Sequence, residues 1–430
     1  MAEASVSATP RVHPTDKSLK AIWAASIGNM LEWYDFGVYA YLASLIATKF
    51  FPSTNPTAPL LAAFAAYGVG FLARPFGGIV IGRLGDTQGR KPALVLTIFL
   101  MAFGTVGLGF LPAYETIGIW APILLVALRI LQGIAAGGEW GTSTAFMIEW
   151  SPPARRGFFG SLQQVSTAGG SLLGSAISAI LTSLLSSSAM LDWGWRVPFI
   201  LGAILLIIGV YLRRNVGETP CYETSRQAAT NEPLVSGAPL GALAFGFTIF
   251  WTVAYYTLLA WMPSFTQRFA DLAPSEALWS NTIGLVAMII AIPMWGALSD
   301  KVGRRPLLMA SALSIGLLSW PLFSLMTKGG GLALVLPIQI LFGVLLALYS
   351  GPGPAALSEI FPTHLRSTWM SAGYSLAVAI FGGFAPFIAT WLIQATGSPM
   401  SPTYLYLLPS ALISLSVIWK LEETSTIRLS

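Results

Sequence analysis

The sequence predicts an all-α polytopic membrane protein, with twelve transmembrane helices arranged as two six-helix parallel repeats. Three observations predict it. Apolar residues fill 55% of the 430 positions and charged residues only 10%, with a mean hydropathy of +0.70. A soluble chain carries about 25% charge, so this one cannot cover a water-facing surface. Apolar stretches of about 20 residues, each enough to cross the hydrocarbon as a helix, recur from end to end. The loops between them carry one motif twice. A closed β-barrel also satisfies the backbone in lipid, but its alternating segments of about ten residues do not occur here.

Taken in order, the spans are expected at 20–47, 58–81, 93–111, 118–148, 158–184 and 195–212, then at 239–265, 278–298, 307–327, 331–358, 368–394 and 403–420. The polar stretch 213–238 divides an N-terminal bundle (1–212) from a C-terminal one (239–430) and reads as a linker loop. Of 23 Lys and Arg, seventeen fall in the termini and even-numbered loops. That bias places both termini and the linker in the cytoplasm, as for a multi-pass protein of a bacterial inner membrane. The net charge of +5 is therefore topological, and no nucleic-acid partner is expected. The polar N-terminus does not resemble a cleaved signal peptide. The one cysteine, Cys221, lies in the linker, so no internal disulfide is expected and no cysteine metal site. No cofactor is expected, and a monomer suffices as the working unit.

The loop after span 2 runs Gly82-Arg-Leu-Gly-Asp86-Thr-Gln-Gly-Arg90-Lys-Pro, and the loop after span 8 runs Gly296-Ala-Leu-Ser-Asp300-Lys-Val-Gly-Arg304-Arg-Pro, offset by 214 residues. After spans 4 and 10, Glu149 and Arg156 match Glu359 and Arg366 at an offset of 210. Halves with even numbers of spans point the same way, which puts a pseudo-two-fold axis along the membrane normal and a site between the halves. An aspartate at a helix end can bond arginines or a neighbouring helix N-terminus. These eight residues (Asp86, Arg90, Asp300, Arg304, Glu149, Arg156, Glu359, Arg366) are the candidate cytoplasmic gate.

Five ionisable residues fall inside spans: Glu32, Asp35, Arg74, Arg129 and Glu139. Intramembrane charges mark functional positions by default. At 100° per residue, Asn29, Glu32, Asp35 and Tyr39 share one face of span 1, and Arg129, Gln132 and Glu139 one face of span 4. Counting depth from the span ends pairs Asp35 with Arg129 near the midplane, and Arg74 with Glu139 as a structural ion pair nearer the cytoplasm. Glu32 is left over, so Glu32 or Asp35 is the candidate proton carrier. A guanidinium holds a carboxylate with two parallel bonds, which makes Arg129, then Arg74, the candidate substrate clamp. Polar neighbours are Gln132, Asn29, Tyr39, Gln163, Gln164, Tyr255, Tyr256, Tyr349 and Tyr374. Spans 1, 4, 7 and 10 are expected to line the cavity. Gly133, Gly137, Gly170 and Gly174 read as helix-packing positions, and Gly351-Pro352-Gly353-Pro354 should break span 10. His13 and His364 lie outside the spans.

The repeated loop resembles the major facilitator superfamily signature, Gly-x3-Asp-(Arg/Lys)-x-Gly-Arg-(Arg/Lys). The second copy fits it fully and the first carries Thr87 where a base is usual. Gly28-Asn-Met-Leu-Glu-Trp-Tyr-Asp-Phe36, Phe71-Leu-Ala-Arg-Pro75 and Arg129-x2-Gln132-Gly133 resemble the metabolite:proton symporter family. Ile380-Phe-Gly-Gly-Phe-Ala-Pro386, with Thr396-Gly397 and Ser401-Pro402-x-Tyr404, is similar to its citrate and tricarballylate branch. The resemblance implies a proton-coupled symporter working by alternating access, with a small di- or tricarboxylate such as citrate as cargo. A zwitterionic osmolyte or an aromatic acid is the alternative cargo. No Ser-His-Asp or metal-ligand pattern supports a membrane-embedded enzyme, and paired midplane charges argue against a passive channel.

Overall fold

The structure is a computed structural model and describes residues 16–88, 90–137, 140, 144, 147–148, 151–202, 237–362 and 366–425. The linker at 213–238 therefore lies almost wholly outside the described residues, as do Cys221, His13, His364, Glu139 and Glu149.

Every described span is helical. Span 1 is Asp16–Tyr41 and continues beyond a bend at Leu42 as Ala43–Phe50. Span 2 is split into Ala58–Leu72 and Arg74–Gln88. The split follows from Pro75, which has no N–H to offer the turn before it. Span 3 is Arg90–Phe110, span 4 begins as Trp120–Ala136, and span 5 is Arg156–Leu184. Span 6 is described only as far as Gly202. In the second half, span 7 is Ala238–Tyr255 followed by a wide π-turn at Tyr256–Ala260, span 8 is Pro274–Val302 and span 9 is Arg305–Met326. Span 10 runs Gly331–Ser350 and resumes at Gly353–Glu359 after the expected break at Gly351-Pro352. Span 11 comprises Ser371–Ala377, a π-turn at Val378–Gly382 and Ala385–Thr396, and span 12 ends in Leu408–Lys420. Among the described residues, eight helices are long and apolar enough to cross a membrane.

Packing repeats between the halves. Span 1 packs on span 5 as span 7 packs on span 11, and span 4 contacts spans 2 and 3 as span 10 contacts spans 8 and 9. The halves meet where span 5 lies along span 8 and span 2 along span 11. The closest crossings repeat too. A Cβ at Gly133 would collide with the carbonyl of Gly70, and one at Gly343 with that of Gly284. These pairs stand 214 and 210 residues apart, the offsets of the loop motifs. Backbones that approach this closely admit only hydrogen at Cα, so the glycines set the crossing.

The outward faces carry large apolar side chains, among them Phe76, Phe99, Phe110, Leu317, Trp320 and Trp419, each more than half exposed. Such a belt is matched to lipid rather than to water. Glu32, Asp35, Arg74 and Arg129 are instead buried.

Candidate functional site

Three polar constructions occupy the interior. The first joins spans 1 and 4. Arg129 Nη1 lies 3.8 Å from Asp35 Oδ2 and donates to Gln132 Oε1 at 3.0 Å. Gln132 Nε2 donates in turn to Asp35 Oδ2 at 2.5 Å and to Thr105 Oγ1 at 3.2 Å. The Arg129 guanidinium is wrapped by the rings of Phe36, Tyr39 and Tyr67 at 4.5, 4.6 and 5.4 Å, a packing that aromatic faces favour for a cation. Asp35 Oδ1 has no hydrogen-bond partner among the described residues. This is the expected midplane pair, but it is sealed inside the first half. Arg129 does not line the cavity, so its expected role as first substrate clamp is not supported by its position.

The second construction corrects an expectation. Arg74 pairs with Glu32, Nη2 to Oε1 at 2.9 Å, so Glu32 is not the leftover acid. Glu139, the partner expected for Arg74, lies outside the described residues. Glu32 and Asp35 are one turn apart on span 1, and that turn aims one at span 2 and the other at span 4. The Arg74 guanidinium stacks over Phe71, Phe36 and Trp33 at 4.5, 4.6 and 5.6 Å. Its Nε makes no hydrogen bond among the described residues.

Trp33 is also a wall of the third construction, a small cavity between the halves. Five of its lining residues are aromatic: Trp33, Trp251, Tyr255, Tyr256 and Tyr374. The other three are Gln164, Thr167 and Thr252, so no lining side chain carries a charge. The cavity is thus framed by spans 1, 5, 7 and 11, not by 1, 4, 7 and 10 as expected. Spans 5 and 11 come forward because glycines let them: a Cβ at Gly170 would strike the Met30 carbonyl, and one at Gly382 would strike Thr252 and Tyr256. Tyr255 is fixed by a 2.9 Å bond between its hydroxyl and that of Ser171, and Trp251 by donating from Nε1 to Ser350 Oγ at 2.9 Å. Thr252 Oγ1 and Tyr256 OH are buried, yet neither has a hydrogen-bond partner among the described residues. Below the cavity, Trp140 of span 4 stacks on Tyr374, with centroids 3.5 Å apart and planes within 4°.

Of the other expected lining residues, Gln164, Tyr255, Tyr256 and Tyr374 reach the cavity and the rest do not. Asn29 Nδ2 donates to Ser166 Oγ and Thr167 Oγ1 at 2.8 and 2.9 Å. Gln163 Oε1 accepts from Gln164 at 2.6 Å. The Tyr39 and Tyr349 hydroxyls donate to the backbone carbonyls of Ala63 and Phe247 at 3.0 and 2.6 Å. Thr252 was missed, with nothing in the sequence to mark it, and so were the tryptophans Trp33 and Trp251. Their signal was a tryptophan deep within a span, since tryptophan otherwise gathers at the membrane interfaces.

At the basic-loop end, Asp300 Oδ1 and Oδ2 accept from Gly157 N and Phe158 N at 2.8 and 3.0 Å. The carboxylate thereby caps the start of span 5, across the boundary between the halves. Arg304 binds Asp300 at 2.7 Å and Glu359 at 3.2 Å. Glu359 Oε2 accepts from Thr424 at 2.7 Å, and Glu423 accepts from the N–H groups of Arg304 and Arg305 at 2.8 and 3.1 Å. Burial works upward on the Glu423 carboxyl, but those backbone bonds and two from Ser425 hold it below its ordinary value. Arg366 donates to the carbonyls of Ser358 and Phe361, both at 3.0 Å, and Arg156 is buried. The side chains of Asp86 and Arg90, like Glu149, lie outside what is described.

Comparison with known proteins corrects the cargo. The chain is 34% identical over 424 residues to the proline/betaine transporter of Escherichia coli (strain K12), spanning 95% of this chain and 84% of that protein. The proline/betaine transporter of Salmonella typhimurium (strain LT2) matches with the same identity and coverage. Citrate as main cargo is overturned by these relatives. Some of the residues that carried the citrate resemblance serve packing: Phe384 lies over Gly68 and Gly383 against Phe71, between spans 2 and 11. Among solved structures, the partially occluded inward-open xylose transporter XylE from E. coli superposes with a TM-score of 0.76 at 20% identity, covering 96% of this chain and 100% of that one. XylE bound to 6-bromo-6-deoxy-D-glucose gives 0.77 at 19%, covering 96% and 97%. Residues 21–233 match the family Sugar (and other) transporter, and residues 269–428 match Major Facilitator Superfamily. With that fold, two parallel six-helix repeats and these relatives, the chain is a membrane transporter and not an enzyme, and it belongs to the major facilitator superfamily.

Proposed function

We propose that this chain is a proton-coupled symporter of the metabolite:proton symporter family that imports a small zwitterionic osmolyte, of the proline or betaine class, by alternating access. The single observation that carries the reading is the cavity. Its wall is uncharged, and the neighbouring ion pair offers one positive and one negative group. A tricarboxylate would need several cations there. A zwitterion needs one of each sign.

In this reading 1–212 and 239–430 are the moving halves and 213–238 is their linker, with both termini in the cytoplasm. Asp35 is the proton carrier. When its site opens to the acidic side, a proton taken up on the carboxylate weakens the contacts to Arg129 and Gln132, and release toward the cytoplasm restores them. The Asp300 cap on span 5, with its Arg304–Glu359 support, closes the cytoplasmic side.

The test is uptake into proteoliposomes under an imposed proton gradient, comparing labelled proline, glycine betaine and citrate. Gradient-driven accumulation of a zwitterion without citrate is the expected result. Absence of accumulation for both zwitterions would overturn the reading.

A further inference from the structure

We infer that the cavity is an onium cage: it holds a methylated ammonium head by cation–π contact and turns the attached carboxylate toward Arg74, so that affinity rises with N-methylation. This rests on the zwitterionic reading above and assigns each end of the cargo a place.

Five rings converge on one space. Trp33 stands edge-on to Tyr255, with centroids at 5.8 Å, and 6.1 Å from Tyr256. Trp251 stands edge-on to Tyr374 at 6.1 Å. Rings set at steep angles around a void can turn their negative faces toward it from several sides, which suits a cation without hydrogen-bond donors. The walls also carry no carboxylate that would pair with an ammonium N–H. Only Gln164, Thr167 and Thr252 offer side-chain oxygens besides the tyrosine hydroxyls, and the Tyr255 hydroxyl is already bonded to Ser171. A quaternary head brings no N–H donors that a buried site must satisfy.

The carboxylate end follows from the unmet groups. Thr252 Oγ1 and Tyr256 OH are buried on the cavity wall without partners among the described residues, and Arg74 Nε, outside the lining, is also buried without one. All three can donate, and a carboxylate accepts. Arg74 reaches this edge of the cage over the face of Trp33. A bound carboxylate would therefore compete with Glu32 for one guanidinium.

The experiment is equilibrium binding of radiolabelled glycine betaine to the purified full-length protein, competed by glycine, N-methylglycine, N,N-dimethylglycine and unlabelled glycine betaine. A fifth competitor is 3,3-dimethylbutanoate, which has the same shape as glycine betaine and no positive charge. Competition should strengthen with each methyl group, and the isostere without the positive charge should be at least tenfold weaker than glycine betaine. Trp251→Leu and Trp33→Leu should each weaken glycine betaine binding about tenfold or more, while Trp251→Phe retains most of it. The Phe variant also controls for folding. An isostere that competes as well as glycine betaine, or Leu variants of normal affinity, would overturn the cage. If proline is bound and accumulated while methylation has no effect, only the cage fails. If no zwitterion binds, the transport reading fails with it.

Discussion

Asp35 and Glu32 sit one turn apart on the same helix, yet they belong to different circuits. Asp35 faces Arg129 and Gln132, and Glu32 faces Arg74. The separation predicts separable phenotypes. Asp35→Asn should abolish gradient-driven accumulation and leave downhill exchange of substrate, read as loss of substrate-evoked alkalinisation outside energised vesicles. Normal alkalinisation in that variant would remove Asp35 from coupling. Arg129→Gln leaves a buried carboxylate without its cation, at a cost of about 3–5 kcal/mol, seen as a lower unfolding midpoint in detergent. Adding Asp35→Asn should recover part of that loss, because the pair is coupled. The Asp35–Arg129 pair was legible in the sequence because both helices are straight there and depth can be counted in residues. The Arg74–Glu32 pair was not, because Pro75 interrupts span 2 beside Arg74 and resets its direction.

At the scale of elements, the start of span 5 is closed by a carboxylate from the other half. Asp300 accepts two of the N–H groups that a helix leaves unbonded at its N-terminus. Asp300→Asn keeps one acceptor and loses the charge, worth about 1 kcal/mol at a helix end. Transport rate should change more than equilibrium affinity, and equal rates would deny the contact a gating role. Glu423 holds the next loop from the C-terminal segment. Its carboxyl sits below the ordinary value, so its contribution is complete above the ordinary glutamate range, about 4.3, and fades only as pH falls through the lower folded value. Protection of residues 421–425 from protease should therefore be the same at pH 6 and pH 8, and Glu423→Gln should reduce it at both. The role of this segment was illegible because nothing in residues 421–425 announces which loop they will meet.

Across the whole molecule, two crossings keep the halves alike. The Gly70–Gly133 and Gly284–Gly343 approaches share the offsets of the loop motifs. Gly133→Leu and Gly343→Leu should each cause misfolding, seen as loss of monodisperse protein. Gly329→Leu, in a loop where an added Cβ meets nothing, should be tolerated apart from the strain of its positive φ. At the end of spans 5 and 8 remote from the basic loops, Trp279 Nε1 donates to Ser183 Oγ at 3.1 Å. A disulfide between Ser183→Cys and Trp279→Cys, made in a Cys221→Ser background, should arrest transport until reduced. Unchanged transport with the bond formed would mean that these ends do not part. The twelve-span plan and the parallel repeat were legible because they rest on composition and on exact recurrence. The cavity was not, since it depends on which spans the glycines allow forward. Residue 339 shows the limit of the symmetry. It lies 210 positions after Arg129, is Gln rather than Arg, and bonds Asn281 and the Leu258 carbonyl at 3.0 and 3.1 Å.

The uncharged cavity wall has an electrical consequence. A cargo whose own charges cancel moves no net charge through the membrane field, which otherwise costs about 2.3 kcal/mol per charge per 100 mV. In the proposed symport, the current of the working cycle is then carried by protons alone. Dividing the charge that crosses a voltage-clamped membrane by the moles of zwitterion delivered would count the protons per turnover directly, without any correction for the cargo.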